Sequence, residues 1–313
     1  MKARIDLAYK QNNSCQQGCN KYIRKEITEN DLCIKINSVS DNLPVRCVGK
    51  WATQKIFHLV QYFGIFANGM KDKWNLNYIE VCSGPGRCIA RENGIEFDGT
   101  ALAIIKHPAF KHLNKALFFD FNKSVVNALN QRIRNQSFTT AKAIIGDYYN
   151  PDEICQEIIS EVDTDSLNMI FIDPTDCSVP FNLIRKIKRV LPNADLIINL
   201  ASGTDYNRNI RNVLLDQKKY SKTINKYSRF LDSTDFFKDK NNLNHAKENN
   251  TNELRNSFRK YYTNSLMKIG YEYFDFKRIE HYYDILFASK HKTGITFWEK
   301  ANKINFDGQR QLF

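Results

Sequence analysis

Residues 78–87 read YIEVCSGPGR, an apolar strand pattern that ends in a turn of small residues. Two glycines in such a turn let the backbone approach a ligand without obstruction by a Cβ atom. The turn has neither the Gly-Lys-Ser/Thr of a nucleoside-triphosphate loop nor a complete GxGxxG dinucleotide fingerprint. We interpret it as the ligand-facing end of a strand that opens toward a helix; the alternative is an ordinary tight turn.

Apolar strand patterns alternate with helical patterns through the middle of the chain. Such alternation predicts βαβ units and a mostly parallel, doubly wound sheet, with ligands at the carboxyl ends of its strands. The strands are expected at 78–82, 115–119, 141–145, 167–172 and 195–200, and the helices at 100–105, 123–133, 151–159 and 181–190. An amphipathic helix is expected before these elements and ends near 68–69. Another helix is expected at 253–267, and the two strands that follow it, at 270–276 and 282–288, predict an edge hairpin.

The pattern also predicts the domain organisation. Residues 1–48 are polar and irregular and are interpreted as an N-terminal extension. Residues 49–300 form the α/β domain, and 301–313 form a tail. The rhythm breaks at about 205–251, which predicts an inserted functional loop or a flexible segment.

The first two strand ends carry carboxylates. Glu80 precedes the turn, and because a buried carboxylate needs a partner, we assign it to the ammonium of a bound amino-acid moiety. Asp120 ends the next strand and is placed to accept hydrogen bonds from ribose hydroxyls; the alternative is a cap on the helix at 123. The remaining predicted cofactor residues here are Ser83, Gly84, Pro85, Gly86 and Phe121.

The next two strand ends are also polar. Asp147 is predicted to accept from an exocyclic adenine amine and Tyr148 to cover the ring, although Asp also forms ordinary turns. Asp173 and Pro174 are the predicted catalytic residues, because a carboxylate and a rigid carbonyl there can orient a nucleophile toward a methyl group. The alternative is a strand-ending Asp-Pro turn. Cys177 as a covalent nucleophile has no visible base.

These strand ends, in this order, resemble the class I S-adenosylmethionine-dependent methyltransferases, and more closely the three-Cys-motif partner protein family. The resemblance covers about residues 47–300 and rests on GKWATQK at 49–55, KW at 73–74, residues 78–87, DGTALA at 98–103, FIDP at 171–174, DYNRN at 205–209, YDILFASK at 283–290 and GITFW at 294–298. It implies a Rossmann-like methyltransferase fold with an antiparallel edge hairpin, S-adenosylmethionine as cofactor, and pairing with a protein that bears a three-cysteine radical-type motif. The sequence departs from the family pattern at 80–83, where EVCS replaces DLFA, and at 175–177, where TDC replaces a Phe-Gly pair.

The composition bears on partners. The 313 residues carry a formal net charge of +12, which attracts polyanions and favours a nucleic-acid partner; the alternative is a generally basic proteome. No apolar run is long enough to cross a bilayer, and the first residues lack the apolar segment of a secretion signal. The sequence therefore predicts a cytoplasmic protein without a membrane partner.

Eight cysteines are expected to be thiols in that compartment. Cys15, Cys19, Cys33 and Cys47 fall within the first 50 residues. Their wide spacings favour free thiols, with a tetrathiolate zinc site as the alternative, so no metal ligand is assigned.

Three functions remain open. The first is an enzyme that methylates nucleic acid, and the second is a non-catalytic or partner-dependent cofactor-binding protein. A dinucleotide oxidoreductase is the least favoured of the three, because the full glycine fingerprint is absent.

Overall fold

The computed structural model describes residues 6–15, 19, 25, 26, 28, 29, 32–304 and 306. The chain divides into two compact units, one made of residues 1–146 and 296–313 and the other of residues 147–295. The strands of the described residues belong to two mixed sheets. The predicted α/β class is therefore confirmed, whereas the prediction of one mostly parallel sheet is only partly met.

The first unit contains a six-stranded sheet of order β1-β7-β6-β4-β3-β2. Only β4 and β6 are parallel in it; the other neighbours are antiparallel. Its strands are β1 (Lys10–Gln11), β2 (Thr28–Glu29), β3 (Leu32–Asn37), β4 (Pro44–Val48), β6 (Arg87–Ala90) and β7 (Ile95–Asp98).

The same unit holds three parallel strands, β5 (Leu76–Val81), β8 (Leu113–Asp120) and β9 (Ala141–Ile145), in the order β5-β8-β9. Strand β5 is buried along its whole length, as is typical of a parallel strand covered on both faces. The helices are α1 (Ala52–Met70), α2 (Thr100–Ile105) and α3 (Lys123–Arg134), with a 3-10 turn at Pro108–His112. Each predicted helix and strand of this part lies within a few residues of its expected bounds.

The second unit repeats the alternation. Its strands β10 (Leu167–Ile172) and β11 (Ala194–Leu200) are parallel. The antiparallel hairpin of β12 (Tyr273–Ile279) and β13 (Tyr283–Ser289) pairs with β11 through β13, which confirms the predicted edge hairpin. Helices α4 (Pro151–Glu161) and α5 (Phe181–Val190) flank β10 in the chain, and α11 (Lys292–Asn302) follows β13.

Residues 202–250 are largely helical rather than a loop, and the helix predicted at 253–267 is present. They form a π-helical segment at Ser202–Tyr206, then α6 (Asn207–Leu215), α7 (Ser221–Leu231), α8 (Asp235–Lys238), α9 (Lys240–Lys247) and α10 (Thr251–Met267). Aromatic rings hold these helices together: the Tyr206 and Phe258 centroids are 4.0 Å apart, and those of Phe230 and Tyr262 are 4.7 Å apart. Because four aromatic side chains of this cluster are buried, the segment has a packed core and the prediction of a loop or flexible insertion is wrong.

Two further expectations need correction. The turn after β5 leads into the β6–β7 hairpin and not directly into a helix. Arg87 in this hairpin is buried and pairs with Glu96 at 2.9 Å and Asp98 at 2.8 Å, so these buried charges satisfy one another inside a sheet. The N-terminal region, expected to be irregular, supplies β1 to β4.

No helix of the part that the structure describes has the length and apolar character of a membrane span.

Candidate functional site

The turn after β5 needs its glycines. Gly84 has a φ of +68° and Gly86 a φ of +90°, and even Cys82 has a φ of +66°, a value uncommon outside glycine. A Cβ atom on Gly86 would lie 2.9 Å from Leu129 Cδ1 and 3.0 Å from Leu102 Cγ. The backbone therefore passes close to the neighbouring helices in a conformation that glycine adopts without strain.

Asp120, at the end of β8, closes this turn. Its Oδ2 accepts a hydrogen bond from the Gly84 amide at 3.1 Å, and its Oδ1 accepts from the Asn122 amide at 3.0 Å. The carboxylate is buried, yet two of its four lone-pair positions remain for further donors. The cap on α3 is supplied by Asn122, which accepts from the Ser124 and Val125 amides, so the alternative role of Asp120 as a helix cap is wrong.

Ser83 adds a second polar group to the turn. Its amide donates to the Phe119 carbonyl at 3.0 Å, which ties the end of β5 to β8. Its hydroxyl Oγ is buried and has no hydrogen-bond partner among the described residues. Because buried hydroxyls are nearly always hydrogen-bonded, this one is suited to a ligand.

Glu80 finds its partners within the chain. The Tyr78 hydroxyl donates to Glu80 Oε2 at 2.8 Å, and the Thr100 hydroxyl donates to Oε1. Glu80 is fully buried, and a buried carboxylate needs hydrogen-bond donors. Tyr78 and Thr100 supply these donors, which the sequence analysis had expected from the ammonium of a ligand. This carboxylate holds the start of α2 against β5, and its contact with a cofactor stays a prediction.

Two arginines that the sequence analysis missed border the same turn. Arg132 Nη1 donates to the Pro85 carbonyl at 2.6 Å and to the Pro44 carbonyl at 2.9 Å. Arg46 Nη1 lies 3.5 Å from the Cys82 carbonyl and would be 3.2 Å from a Cβ on Gly84. Neither arginine belongs to a local motif, and only the fold brings them to residues 82–85.

A cleft of about 220 Å³ in the first unit includes the Arg132 side chain. Four cationic side chains and one carboxylate line it: Lys10, Arg87, Lys106, Arg132 and Asp41. Arg132 pairs with Asp41 at 2.7 Å, and Lys106 pairs with Asp98 at 2.8 Å. Arg87 also pairs with Glu96 and Asp98, so carboxylates balance the charges of three of the four cations that line the cleft.

The other predicted cofactor residues are more accessible. The Phe121 ring is 53% exposed, so it contributes little to the core. Asp147, in the second unit, is exposed, and its Oδ1 accepts from the Tyr149 amide at 2.8 Å, which is the turn-forming arrangement left open as an alternative. The Tyr148 hydroxyl lies 3.0 Å from Ser178 Oγ. The roles assigned to these three residues stay predictions.

Asp173 and Pro174 follow β10 in the second unit. Asn199, near the end of the adjacent strand β11, donates from Nδ2 to Asp173 Oδ1 at 2.9 Å and lies 3.4 Å from the Pro174 carbonyl. The Asn199 Oδ1 atom is buried and has no partner among the described residues. One amide side chain thus fixes the predicted catalytic pair and presents an acceptor; its signal in the sequence was a polar residue inside an apolar strand.

The loop that follows is fixed by Asp205, which the sequence analysis did not assign to the site. Its Oδ2 accepts from the Cys177 amide at 3.0 Å and from Lys226 Nζ at 2.6 Å. Its Oδ1 accepts from Asn209 Nδ2 at 3.0 Å and the Tyr227 hydroxyl at 3.1 Å. The sequence motif at 205–209 includes Asp205, but the role of this carboxylate becomes visible only through its contacts with Cys177 and Lys226.

Cys177 is not a nucleophile in this arrangement. Its side chain is fully buried. Burial, followed by the nearby Asp205 carboxylate, raises the pKa of the Cys177 thiol well above its usual range. A buried thiol that stays protonated does not attack a substrate.

Comparisons with known proteins were made for the whole chain. No family model matches, and no curated protein matches. Among solved structures, a Legionella pneumophila protein of family DUF519 is 8% identical with a TM-score of 0.44, covering 83% of this chain and 94% of its own. Magnesium protoporphyrin IX methyltransferase from Synechocystis, solved with bound S-adenosylhomocysteine, is 12% identical with a TM-score of 0.38, covering 77% of this chain and 84% of its own.

Human N-acetylserotonin methyltransferase, solved in complex with S-adenosylmethionine, is 16% identical with a TM-score of 0.35, covering 76% of this chain and 54% of its own. Solved structures similar to this chain thus include S-adenosylmethionine-dependent methyltransferases at low sequence identity. At these scores the likeness carries no argument about activity, so function has to be argued from the residues of the site.

Proposed function

We propose that this protein is an S-adenosylmethionine-dependent methyltransferase. The observation that carries the proposal is the turn after β5, whose Gly84 amide is held by Asp120 while the Ser83 hydroxyl is buried without a partner. A carboxylate with free lone pairs, an unpartnered hydroxyl and a turn without Cβ atoms together suit the ribose and amino-acid parts of this cofactor.

The assignment of residues follows from that fit. Asp120 would accept hydrogen bonds from the ribose hydroxyls, and Ser83 with the backbone of the glycine turn would hold the amino-acid part. The exposed Phe121 ring is assigned to the adenine, and the adenine roles predicted for Asp147 and Tyr148 stay predictions. When bound, the cofactor supplies an electrophilic methyl group.

Asp173 and Pro174 are assigned to the methyl acceptor. Asn199 holds the Asp173 carboxylate in place, and we assign this carboxylate and the Pro174 carbonyl as the acceptors that orient the nucleophile. A nucleophilic amine or hydroxyl that donates to these oxygens, and to the buried Asn199 Oδ1, would be oriented without an additional strong base. We infer a nitrogen or oxygen nucleophile from this set of acceptors.

Nucleic acid is the favoured acceptor of the methyl group. The net charge of +12 favours a polyanion. We place the protein in the cytoplasm, where such a substrate is available.

The test is a methyl-transfer screen with radiolabelled S-adenosylmethionine on RNA, DNA and protein fractions. We expect label in a nucleic-acid fraction. Asp173→Ala should reduce transfer by at least about 100-fold, the scale of a lost orienting contact, while cofactor binding is kept. Asp165→Ala, an exposed aspartate in the same unit, is the matched control and should retain transfer. Equal transfer by both variants would contradict the role of Asp173.

One observation favours a second function, that of a partner-dependent or non-catalytic cofactor-binding protein. Asp176 stands where the resembled family has a Phe-Gly pair. Lys226 donates to both Asp176 and Asp205, so the loop that carries Asp176 is held in place. We propose that the partner is a protein with the three-cysteine radical-type motif that the resemblance to the three-Cys-motif partner family implies. Transfer that occurs only after such a protein is added would support this function.

A further inference from the structure

Two arginines of the second unit share a single buried carboxylate, that of Asp284 on β13. Arg259 on α10 donates to Asp284 Oδ1 from Nη2 at 2.6 Å and to Oδ2 from Nε at 3.2 Å. Arg278 on β12 donates to Oδ1 from Nη1 at 3.1 Å. The proposed function has not yet used any of these residues.

A third arginine, Arg255, precedes Arg259 by four residues on the same helix. This spacing places the two side chains on one helix face, about 5–6 Å apart between β-carbons. Arg255 Nη1 donates to the neutral side chain of Asn252 at 3.4 Å, and its Nε is buried without a hydrogen-bond partner among the described residues. Because buried donors are nearly always hydrogen-bonded, this N–H group is suited to an acceptor that a ligand supplies.

The charges around Asp284 do not balance. Arg255, Arg259 and Arg278 are three cations, and the exposed Glu280 in the turn between β12 and β13 brings the number of carboxylates to two. Burial, followed by the charge of Arg278, lowers the pKa of the Arg255 guanidinium; Arg259 adds to the decrease and Asp284 opposes it. An anion bound between the arginines would relieve this repulsion, and guanidinium groups bind phosphate through paired N–H donors.

The turn between β12 and β13 lies against the π-helical segment at Ser202–Tyr206. The Gly203 amide donates to the Tyr282 carbonyl at 2.8 Å, and Arg278 Nη1 donates to Ser202 Oγ at 2.9 Å. The same segment contains the aspartate that holds the loop after β10. The arginines are therefore connected to the part of the second unit to which the methyl acceptor is assigned.

The register of the sheet gives the separation. Strands β13, β11 and β10 are neighbours in that order. Asp284 on β13 pairs with Leu200 on β11, and Asn199, the residue before Leu200, donates to Asp173 after β10. Neighbouring strands lie about 4.8 Å apart, so β13 and β10 are separated by about 10 Å. A phosphate at the arginines would thus lie within a short distance of an acceptor group at Asp173.

The same turn offers an aromatic surface. The His281 ring is exposed, and its centroid is 4.0 Å from that of Tyr282. Arg278 Nη2 donates to the His281 carbonyl at 2.8 Å, which holds the turn beside the arginines. Single-stranded nucleic acids stack their bases on such rings while cations bind their phosphates. The combination favours nucleic acid over a free phosphate ion.

We propose that Arg255, Arg259 and Arg278 bind a backbone phosphate of single-stranded nucleic acid, with His281 stacking on a neighbouring base. This ligand rests on the proposed function, in which nucleic acid accepts the methyl group. A guanidinium has more N–H donors than Arg259 uses on Asp284, so the pair with Asp284 can stay intact while phosphate binds.

The experiment is fluorescence anisotropy with a labelled single-stranded RNA, and with its DNA counterpart, in the absence of cofactor. We expect salt-dependent binding by the wild type and affinity about tenfold weaker in Arg255→Gln, the scale of one lost hydrogen bond to a charged group. The slope of log affinity against log salt concentration should decrease in magnitude by about 0.7. Arg229→Gln removes one charge at an exposed position of the same unit; it is the matched control and should keep both values.

A second variant tests the aromatic part without touching the ion pairs. His281→Ala, at an exposed ring, should weaken binding at least about fivefold, the scale of one lost stacking contact. Circular dichroism should show that all variants are folded. The proposal is overturned if folded wild-type protein binds neither RNA nor DNA, or if Arg255→Gln binds them as tightly as Arg229→Gln. It is also overturned if calorimetry shows that Arg255→Gln loses only the binding of inorganic phosphate.

The outcome is separate from that of the methyl-transfer screen. Weaker nucleic-acid binding by Arg255→Gln would support the phosphate site even if no methyl group were transferred. Methyl transfer to RNA with the same KM for RNA in Arg255→Gln and in the wild type would leave the proposed function intact and overturn this site.

Discussion

At the scale of single residues, the turn after β5 shows how a backbone conformation and a close packing contact act on one position. Gly86 has a φ of +90°, and a Cβ atom at this position would lie 2.9 Å from Leu129 Cδ1 and 3.0 Å from Leu102 Cγ. Gly270 has almost the same φ, +89°, but no atom lies within 4 Å of the position its Cβ would take. The two glycines separate the cost of conformation from the cost of packing.

We predict that Gly270→Ala lowers the free energy of unfolding by about 1–2 kcal/mol, the cost of a left-handed conformation for a residue with a Cβ. Gly86→Ala should cost about 1–3 kcal/mol more, because the new methyl group also overpacks against two leucines. Urea unfolding of both variants measures the difference. Equal costs would show that Leu102 and Leu129 shift to accommodate the methyl group. Steric contact would then not be the reason for glycine at position 86.

Lys188 provides a pH-dependent prediction at the same scale. Its ammonium donates to the Pro192 carbonyl at 2.7 Å and lies 4.5 Å from the centre of the Tyr271 ring. Burial, followed by the charge of Lys290, lowers the pKa of Lys188 to about 8, although Asp195 opposes the shift. The folded protein therefore releases this proton near pH 8, whereas the unfolded chain keeps it until about pH 10.5.

Between these values the unfolded chain binds more protons, so the Lys188 contribution to stability increases as pH rises from about 8 to about 10.5. We predict that the wild type gains stability relative to Lys188→Met over this range. Urea unfolding of both proteins at several pH values gives the difference between their free energies of unfolding. The contributions of other groups that titrate at alkaline pH cancel in this difference. Lys268→Met, at an exposed site, should show no such change, and a flat difference for Lys188→Met would contradict the shifted pKa.

At the scale of elements, the loop after β10 depends on Asp205 in the π-helical segment. This carboxylate accepts from a backbone amide, an ammonium, an amide side chain and a phenol. Hydrogen bonds to charged groups contribute about 1.5–3 kcal/mol each, but such contributions within one network do not add. Although burial alone would lower it, the hydrogen bond and charge of Asp205 raise the pKa of Lys226 above its ordinary value.

We predict that Asp205→Asn destabilises the protein by about 1.5–3 kcal/mol and accelerates hydrogen exchange at the Cys177 amide. In a double-mutant cycle with Lys226→Met, the two costs should sum to more than the cost of the double variant, because both remove one ion pair. Asp216→Asn is the control, since the Asp216 side chain is exposed and accepts from the Lys219 amide outside this network. Additive costs and an unchanged Cys177 exchange rate would exclude Asp205 as the residue that positions this loop.

Elements with strong local patterns were predictable from the sequence. The bounds of α2, β9, β10 and α5 match the expected residues because apolar periodicity and flanking turn residues agree there. The β6–β7 hairpin was missed because its strands have four residues each and carry buried charges, which look like a loop until Arg87 is seen between Glu96 and Asp98.

The helices between residues 202 and 250 were missed for a related reason, whereas the helix at 253–267 was predicted. The aromatic rings that hold this segment together, such as those of Tyr206 and Phe258, are far apart in sequence and separated by asparagine and lysine. The same limit applies to the site. Glycine turns and strand-end carboxylates are local signals, whereas Asn199 beside Asp173 and Arg132 on Pro85 are contacts between distant segments that only the fold reveals.

At the scale of the whole molecule, the account depends on whether the chain binds S-adenosylmethionine. Methyl transfer, the nucleic-acid substrate and a partner-dependent role all require the cofactor. If the chain did not bind this cofactor, all three of these proposals would fail together.

The most direct measurement is isothermal titration calorimetry of S-adenosylmethionine into wild-type protein, Asp120→Ala, and Asp165→Ala as a control. We predict saturable binding with a micromolar dissociation constant in the wild type and the control, and affinity at least about tenfold weaker, equivalent to about 1.4 kcal/mol, in Asp120→Ala. Circular dichroism should show that all three are folded. No binding by folded wild-type protein, or equal binding by Asp120→Ala, would contradict the assignment of the turn after β5 as the cofactor site.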